Sequence, residues 1–166
     1  AGVTRSDAEA PEARVTVGAI ASASTTTPNS QFPGYNFLPS VANDGDRKSG
    51  VNFWRDDTAN TYPDWLQIDF NGTKNITEID VFTMQDNDQN PSDPTLGMTF
   101  VEDGITAFDV QYWTGSAWVT VPNGSVTGNN QVWRQFTFSP IATDKIRVLV
   151  SNALNGRSRI VELEAY

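Results

Sequence analysis

Hydrophobic and polar positions alternate strictly in three stretches of the chain. Leu66, Ile68 and Phe70 in DWLQIDF, Phe108, Val110 and Tyr112 in FDVQYW, and Ile146, Val148 and Val150 in KIRVLV each recur at every second residue. Successive side chains of a strand point to opposite faces, so this period gives each stretch one apolar face to bury. Short runs rich in Val, Ile, Thr and aromatics predict further strands at 15–17, 20–25, 76–83, 118–121, 132–138 and 160–166. Together these make about nine strands, separated by Gly, Asn, Pro and Asp, with no stretch of helical period. The pattern predicts an all-β sandwich or barrel. Thr114-Gly115-Ser116, between Tyr112-Trp113 and Trp118-Val119, has hairpin length and chemistry.

Two connections, from 26 to about 65 and from 85 to about 104, are too long for simple turns. Loops of that length in a compact domain are usually functional or packed on themselves. These two hold Phe32, Tyr35, Phe37, Trp54, Tyr62, Asp86, Asp88 and Asp93, residues that no strand face claims. Residues 1–13 carry Asp7, Glu9 and Glu12 among Ala, Ser and Pro, without apolar periodicity, and read as a flexible leader or linker. The folded domain is expected over 14–166. Ala1 follows neither an initiator Met nor a signal-peptide pattern and reads as a processed or excised start.

Composition narrows the chemistry. A chain of 166 residues builds one sizeable core. Eleven basic against twenty acidic residues give a net charge of −9, which repels phosphate backbones and anionic membranes and argues against nucleic acid as a partner. No Cys and no His are present, which excludes thiol and imidazole nucleophiles, the Ser-His-Asp relay and soft-metal sites. Any metal must be a hard cation held by oxygen. Absent cysteines fit a reducing cytoplasm and an exported bacterial protein equally well. No stretch approaches the ~18 apolar residues of a membrane helix. Asn71-Gly72-Thr73, Asn75-Ile76-Thr77 and Asn123-Gly124-Ser125 match the glycosylation pattern, but two of them are also ordinary Asn-Gly turn chemistry.

Asn43-Asp44-Gly45-Asp46, followed by Ser49, is an oxygen-rich turn of the kind that wraps calcium and also a common plain turn. An EF-hand is excluded because its closing Glu and flanking helices are missing. In RIVELEAY the alternation sends Val161, Leu163 and Ala165 one way and Ile160, Glu162, Glu164 and Tyr166 the other, so a carboxylate sits among apolar neighbours and needs a partner. The stretch from Asp86 to Asp93 reads as a second cation site, a polar edge for a sugar, or a solvated loop. A glycosidase needs two carboxylates about 5–5.5 Å apart, one held protonated by an apolar pocket. That hydrophilic loop offers no such pocket, and the chain is read as non-enzymatic. Trp65, Trp113, Trp118 and Trp133 lie in or beside strands and read as packing. Trp54, beside Arg55, Asp56 and Asp57, reads either as packing or as a platform for a sugar ring. Arg157 is placed toward ligand and Arg159 toward a carboxylate.

The strings VANDGDRKSGVNFW, TYPDWLQIDFNGTKNITEIDVFT, ITAFDVQYWTGSAWVTV, VWRQFTFSPIATDKIRVLVSNA and RIVELEAY follow one another across 14–166. In that order they resemble the discoidin-like domain, also called the coagulation factor V/VIII C-type domain, and its bacterial relatives, the family 32 carbohydrate-binding modules. The resemblance implies a jelly-roll β-sandwich of the galactose-binding-domain-like type. It also implies a monomeric binding module of a larger secreted or cell-surface bacterial protein. A structural calcium is implied as well, held by the side chains of Asp44, Asp46 and Glu162 with carbonyls near Val41, Ser49 and Val161. Ser49 departs from the Thr found in many relatives. Ligands of such domains bind at loops on one end of the sandwich, which nominates Tyr35, Trp54, Arg55, Gln85, Asp86, Asn87, Asp88 and Arg157. Sugar binders of this type often carry an Arg and then an Asn after the strand matching 79–83. Met84-Gln85 and an enlarged loop stand there instead, so no particular sugar is implied. A neutral glycan is expected from the acidic excess, and no apolar loop spikes suited to membrane insertion are evident. The alternative reading is an adhesion or assembly domain that binds a protein partner.

Overall fold

A computed structural model describes residues 14–166; the expected leader, 1–13, lies outside the described residues. The alternating stretches form strands as expected: β1 (Ile20–Ala23), β2 (Trp54–Arg55), β3 (Asp64–Phe82), β4 (Ile105–Trp113), β5 (Trp118–Val126), β6 (Trp133–Ala153), β7 (Arg159–Ile160) and β8 (Glu162–Ala165). A six-stranded antiparallel sheet runs β1-β3-β6-β4-β5 with β8 added to β3, and β2 pairs β7 separately. The hairpin at 114–116 is present, with Trp113 opposite Trp118 and Thr114 N–H donating to the Ala117 carbonyl at 2.9 Å.

The main departure is that four expected strands are two. Stretches 66–70 and 76–83 fuse into β3, and 132–138 and 146–150 fuse into β6. The two long strands pair on both sides of their bends. Asp64–Asp69 face Lys145–Val150, and Glu78–Phe82 face Trp133–Thr137, with a register shift between Asp69 and Lys74. At that shift Asn71 and Gly72 take positive φ of 55° and 135°. Only residues tolerant of left-handed backbone pass there, which is why the strand bends at an Asn-Gly pair. The first half of β3 pairs β1 while the second half pairs β8. The bent pair thereby supplies strands to both layers, and Leu66, Ile68, Ile79, Val81, Phe136 and Val148 meet in one buried core.

Residues 15–17 are not a strand. Ala19 N–H closes a turn onto the Thr16 carbonyl, and Gly18 takes a positive φ of 79°. The last expected strand breaks at Val161, whose N–H bonds the Phe82 carbonyl. Across this break Ile160 joins the main core with Leu163 and Ala165, while Val161 turns the other way into a second cluster with Phe37, Phe53, Phe82, Met84 and Trp133. That cluster seats the two long loops on the outer face of the layer made by β8 and the second half of β3. Of the tryptophans read as packing, only Trp133 is fully buried there. Trp113 and Trp118 lie on the solvent side of the other layer, capped by Lys145 and Arg147 at 5.7 and 4.4 Å.

Candidate functional site: a loop-end cleft

The first long loop folds around its asparagines. Asn29 Oδ1 accepts from Phe37 N–H at 2.8 Å, Asn29 Nδ2 donates to Asn36 Oδ1, and Asn36 N–H donates to the Val51 carbonyl. These bonds stand the aromatic residues together. Tyr35 stacks on Phe37 at 5.5 Å, Phe32 meets both edge-on, and Phe53 supports them from below. Phe37 and Phe53 are buried, whereas Phe32 is 42% exposed and Tyr35 half-buried, so the upper rings present an apolar edge to solvent. They floor a cleft of about 170 Å³ whose walls carry Arg55, Arg159, Asp88 and Asp103.

β2 and β7 supply the two arginines, Arg55 opposite Arg159. Arg159 pairs with Asp103 at 3.4 Å, as its sequence position predicts, and Asp103 also accepts from Asn155 Nδ2 at 2.8 Å. Thr83 Oγ1 donates to the Arg159 carbonyl at 2.7 Å and fixes that strand. Arg55 donates to Thr27 Oγ1 at 3.0 Å and lies over the rings of Phe32 and Phe37. Burial, then the fields of Arg159 and Arg157, push the Arg55 pKa down. The second long loop closes the far wall by backbone contact. A Cβ at Gly50 would overlap the Asp88 carbonyl, so only glycine lets the two loops meet there. Lys48 and Asp93 add an exposed ion pair at 3.1 Å. The cleft thus offers an aromatic edge with guanidinium and carboxylate groups around it, the combination that holds a polar ring by stacking and hydrogen bonds.

Of the residues nominated from sequence, Tyr35, Arg55 and Asp88 line this cleft. Trp54 does not. It is fully buried in the main core, its indole N–H donating to the Thr25 carbonyl at 3.0 Å, so no ring face is left for a ligand. Gln85 is buried and clasps Ser92 through both its oxygen and its nitrogen. Asp86 accepts from Val101 and Glu102 N–H, and Asn87 donates to the Asn90 carbonyl. These three side chains brace their own loop. Arg157 reaches back to the Asp56 carbonyl at 3.2 Å, outside the cleft lining. Sequence reasoning missed Phe53, Met84, Asp103 and Arg159 as cleft residues. Phe32 and Phe37 were noticeable as aromatics that no strand claims.

The Asp-Gly turn meets the last strand. Gly45 N–H donates to Glu162 Oε1 at 2.9 Å, across 117 positions of sequence. Asp46 N–H donates to Asp44 Oδ1, and Asp46 Oδ1 in turn accepts from Lys48 N–H. Glu162 is fully buried and its Oε2 has no hydrogen-bond partner. Burial, then Glu164 and Asp44, push the Glu162 carboxyl well above the ordinary carboxylate range, and burial also raises Asp44. No cluster of three or more Asp, Glu, His or Cys suited to a metal occurs among the described residues. The anionic donors converging on the turn are therefore Asp44 and Glu162.

Fold and cleft together define an all-β sandwich of the galactose-binding-domain-like class. The sequence profile of the NedA-like, galactose-binding domain, of the F5/F8 type C group, matches residues 41–148, and the chain belongs to that family. Among solved structures, the chain is similar to the family 32 module of Clostridium perfringens NanJ in complex with galactose (19% identity, TM-score 0.65, 92% of this chain and 97% of that one). It is similar also to a Streptococcus pneumoniae fucose-binding module (16%, TM-score 0.65, 92% and 94%). A third is chitosan-binding module 2 of a Paenibacillus chitosanase/glucanase, solved with chitotriose (17%, TM-score 0.65, 92% and 98%). No curated protein sequence matches the chain. Among the described residues no helix is long and apolar enough to cross a membrane.

Proposed function

We propose that the chain is a non-catalytic glycan-binding module, carried by a larger extracellular bacterial protein, that holds sugar in the loop-end cleft. The observation that carries this reading is the half-exposed stack of Phe32 and Tyr35 beside polar side chains that the fold has already oriented. Bound galactose, chitotriose and the fucose-binding name of its structural relatives support it. Binding without catalysis is supported by Asp103, whose carboxylate is taken up by Arg159 and Asn155. On a broad glycan array the intact chain should bind at least one sugar ending, and Tyr35→Ala should weaken that binding at least about tenfold, as losing a stacking ring does. An array on which the intact chain binds nothing overturns the reading.

Calcium belongs to the same proposal. The residues fit a hard cation, since Glu162 Oε2 is a buried oxygen without a donor and a second carboxylate, Asp44, stands beside it. Asp44 and Glu162, with the carbonyls of Val41, Ser49 and Val161, would hold it, while the Asp46 carboxylate takes the Lys48 N–H instead. Bound there, calcium neutralises the buried charge and pins the first long loop to β8. At a free calcium of 100 times the dissociation constant, ligation adds about 2.7 kcal/mol. For a domain of this size that is a melting-temperature rise of about 5–10 °C over chelator. Differential scanning calorimetry should show that rise in the parent chain and none in Glu162→Gln. Identical melts of the parent chain in calcium and in chelator would remove the metal from the account.

A further inference from the structure

In the loop-end cleft one arginine has no ion-pair partner among the described residues, although Asp88 lines the same cleft and Asp56 and Asp57 act on it from farther off. Arg55 and Arg159 stand directly opposite each other on the β2–β7 ladder, where like charges repel, and both are partly withdrawn from water. Arg159 is balanced by Asp103. Arg55 is not: among the described residues no carboxylate forms an ion pair with it, and its only hydrogen bond runs from Nη1 to Thr27 Oγ1. The remaining N–H groups of a guanidinium form a planar fork that matches a carboxylate or sulfate. The Arg55 guanidinium carbon lies 5.3 and 5.8 Å from the ring centres of Phe32 and Phe37, so its remaining N–H groups stand beside the rings where a sugar would stack. Asp88 lines the cleft as well, but its hydrogen-bonding partner is the Gln89 amide at 3.4 Å.

Resting on the glycan-binding reading, we infer that the cleft takes a sugar ring bearing an anionic substituent, a carboxylate or a sulfate ester, which Arg55 engages while the ring lies against Tyr35. An anionic sugar departs from the neutral glycan that the net charge of −9 suggests and from the galactose and fucose named for structural relatives. Exposed charges beyond about 8–10 Å are screened at physiological salt, which leaves Arg55 and Asp88 as the cleft charges without an ion-pair partner among the described residues, and of these only the guanidinium attracts an anion.

The test is a matched set of immobilised oligosaccharides ending in galactose, galacturonic acid, 6-sulfogalactose or N-acetylneuraminic acid, with the full chain as analyte. One acidic ending or more should bind at least about tenfold tighter than galactose. The uronate and sialate arms against the sulfate arm separate the two anion sources. In Arg55→Gln the acidic-to-neutral ratio should fall to about one, and in Arg55→Lys, which keeps the charge without the fork, an intermediate ratio should return. Melting curves of both variants matching the parent keep folding out of the comparison. Galactose bound as tightly as every acidic ending, or a ratio unchanged in Arg55→Gln, overturns the inference and leaves the glycan reading standing. Failure of all four endings together with an empty broad array overturns both.

Discussion

Replacing Arg47 with Ala should cost about 3–5 kcal/mol of folding stability, the usual loss when one partner of a buried ion pair is removed. Arg47 is buried and forks onto Glu164, Nε to Oε1 at 2.9 Å and Nη2 to Oε2 at 2.7 Å, while Glu164 itself is fully buried. Nη2 also donates to the Tyr166 hydroxyl, which donates to Glu164 in turn, and Arg14 stands 3.1 Å from the same carboxylate. The guanidinium is packed over Phe82 and Trp133 at 5.0 and 5.2 Å. Truncation therefore takes the two-pronged partner from a buried carboxylate, leaving it Arg14 and the Tyr166 hydroxyl, and opens space against two rings. Arg47→Met keeps most of the apolar stem, so pairing it with Glu164→Gln should recover much of the loss. Urea unfolding of Arg47→Ala and of the Arg47→Met/Glu164→Gln double variant checks this; a loss under about 1 kcal/mol for Arg47→Ala would contradict it, since that is the range of an exposed pair.

The second large effect is in pH. Asp80 lies on β3 opposite Glu164 and Gln135, fully buried, with neither carboxylate oxygen accepting a hydrogen bond. Burial first, then Glu78 and Glu164, push its pKa up to about 9 from an ordinary 3.8. A proton on Asp80 resolves the geometry, because the resulting hydroxyl has the Glu78 carboxylate to donate to; Glu78 also accepts from Gln135 Nε2. The folded chain thus holds a proton that the unfolded chain releases above about pH 4. The stabilisation is complete below the unfolded value and drains away as pH rises toward 9, at a limiting slope of about 1.4 kcal/mol per pH unit. Asp80→Asn supplies a permanent neutral donor of the same shape. Relative to the parent it should flatten the stability profile between pH 5 and 8 and be more stable by several kcal/mol at pH 8. Parallel profiles for parent and variant would show that Asp80 is ionised in the fold.

How far the sequence foretold this molecule can be argued from particular residues. Period-two alternation placed β4, the first half of β3 and the second half of β6, because one buried face is a property of a few neighbouring residues, and runs rich in β-branched and aromatic residues placed the rest of the long strands. It did not show that β3 and β6 run on through their bends. Residues 71–75 are polar and exposed and read as a loop, yet Lys74–Ile76 keep pairing with Ile141–Thr143. Tyr35, Arg55 and Asp88 were legible as loop residues with nothing local to do. Trp54 misled because it falls in a strand of only two residues, too short for a period, with Phe53 sent to one cluster and Trp54 to the other. Gln85 and Asp86 looked like a ligand-binding edge, whereas their polar groups are spent inside their own loop. The meeting of Arg55 with Arg159 depends on β2 pairing with β7, segments about a hundred residues apart that no local signal brings together.

The paired bend of β3 and β6 also bears on how the chain finds its fold. Of the positions these strands bring together, Phe82 and Trp133 are the nearest in sequence and Asp64 and Val150 the most distant. Closing the shorter span costs less chain entropy, and each further pair then adds to a contact already made. Pairing of β3 with β6 is favoured to begin at the end where Phe82 and Trp133 stack at 5.1 Å, near the loop-end cleft, and to zip past the Asn71-Gly72 bend toward the far layer. Because so much of the core waits on pairings this remote, the chain belongs among slow folders for its size.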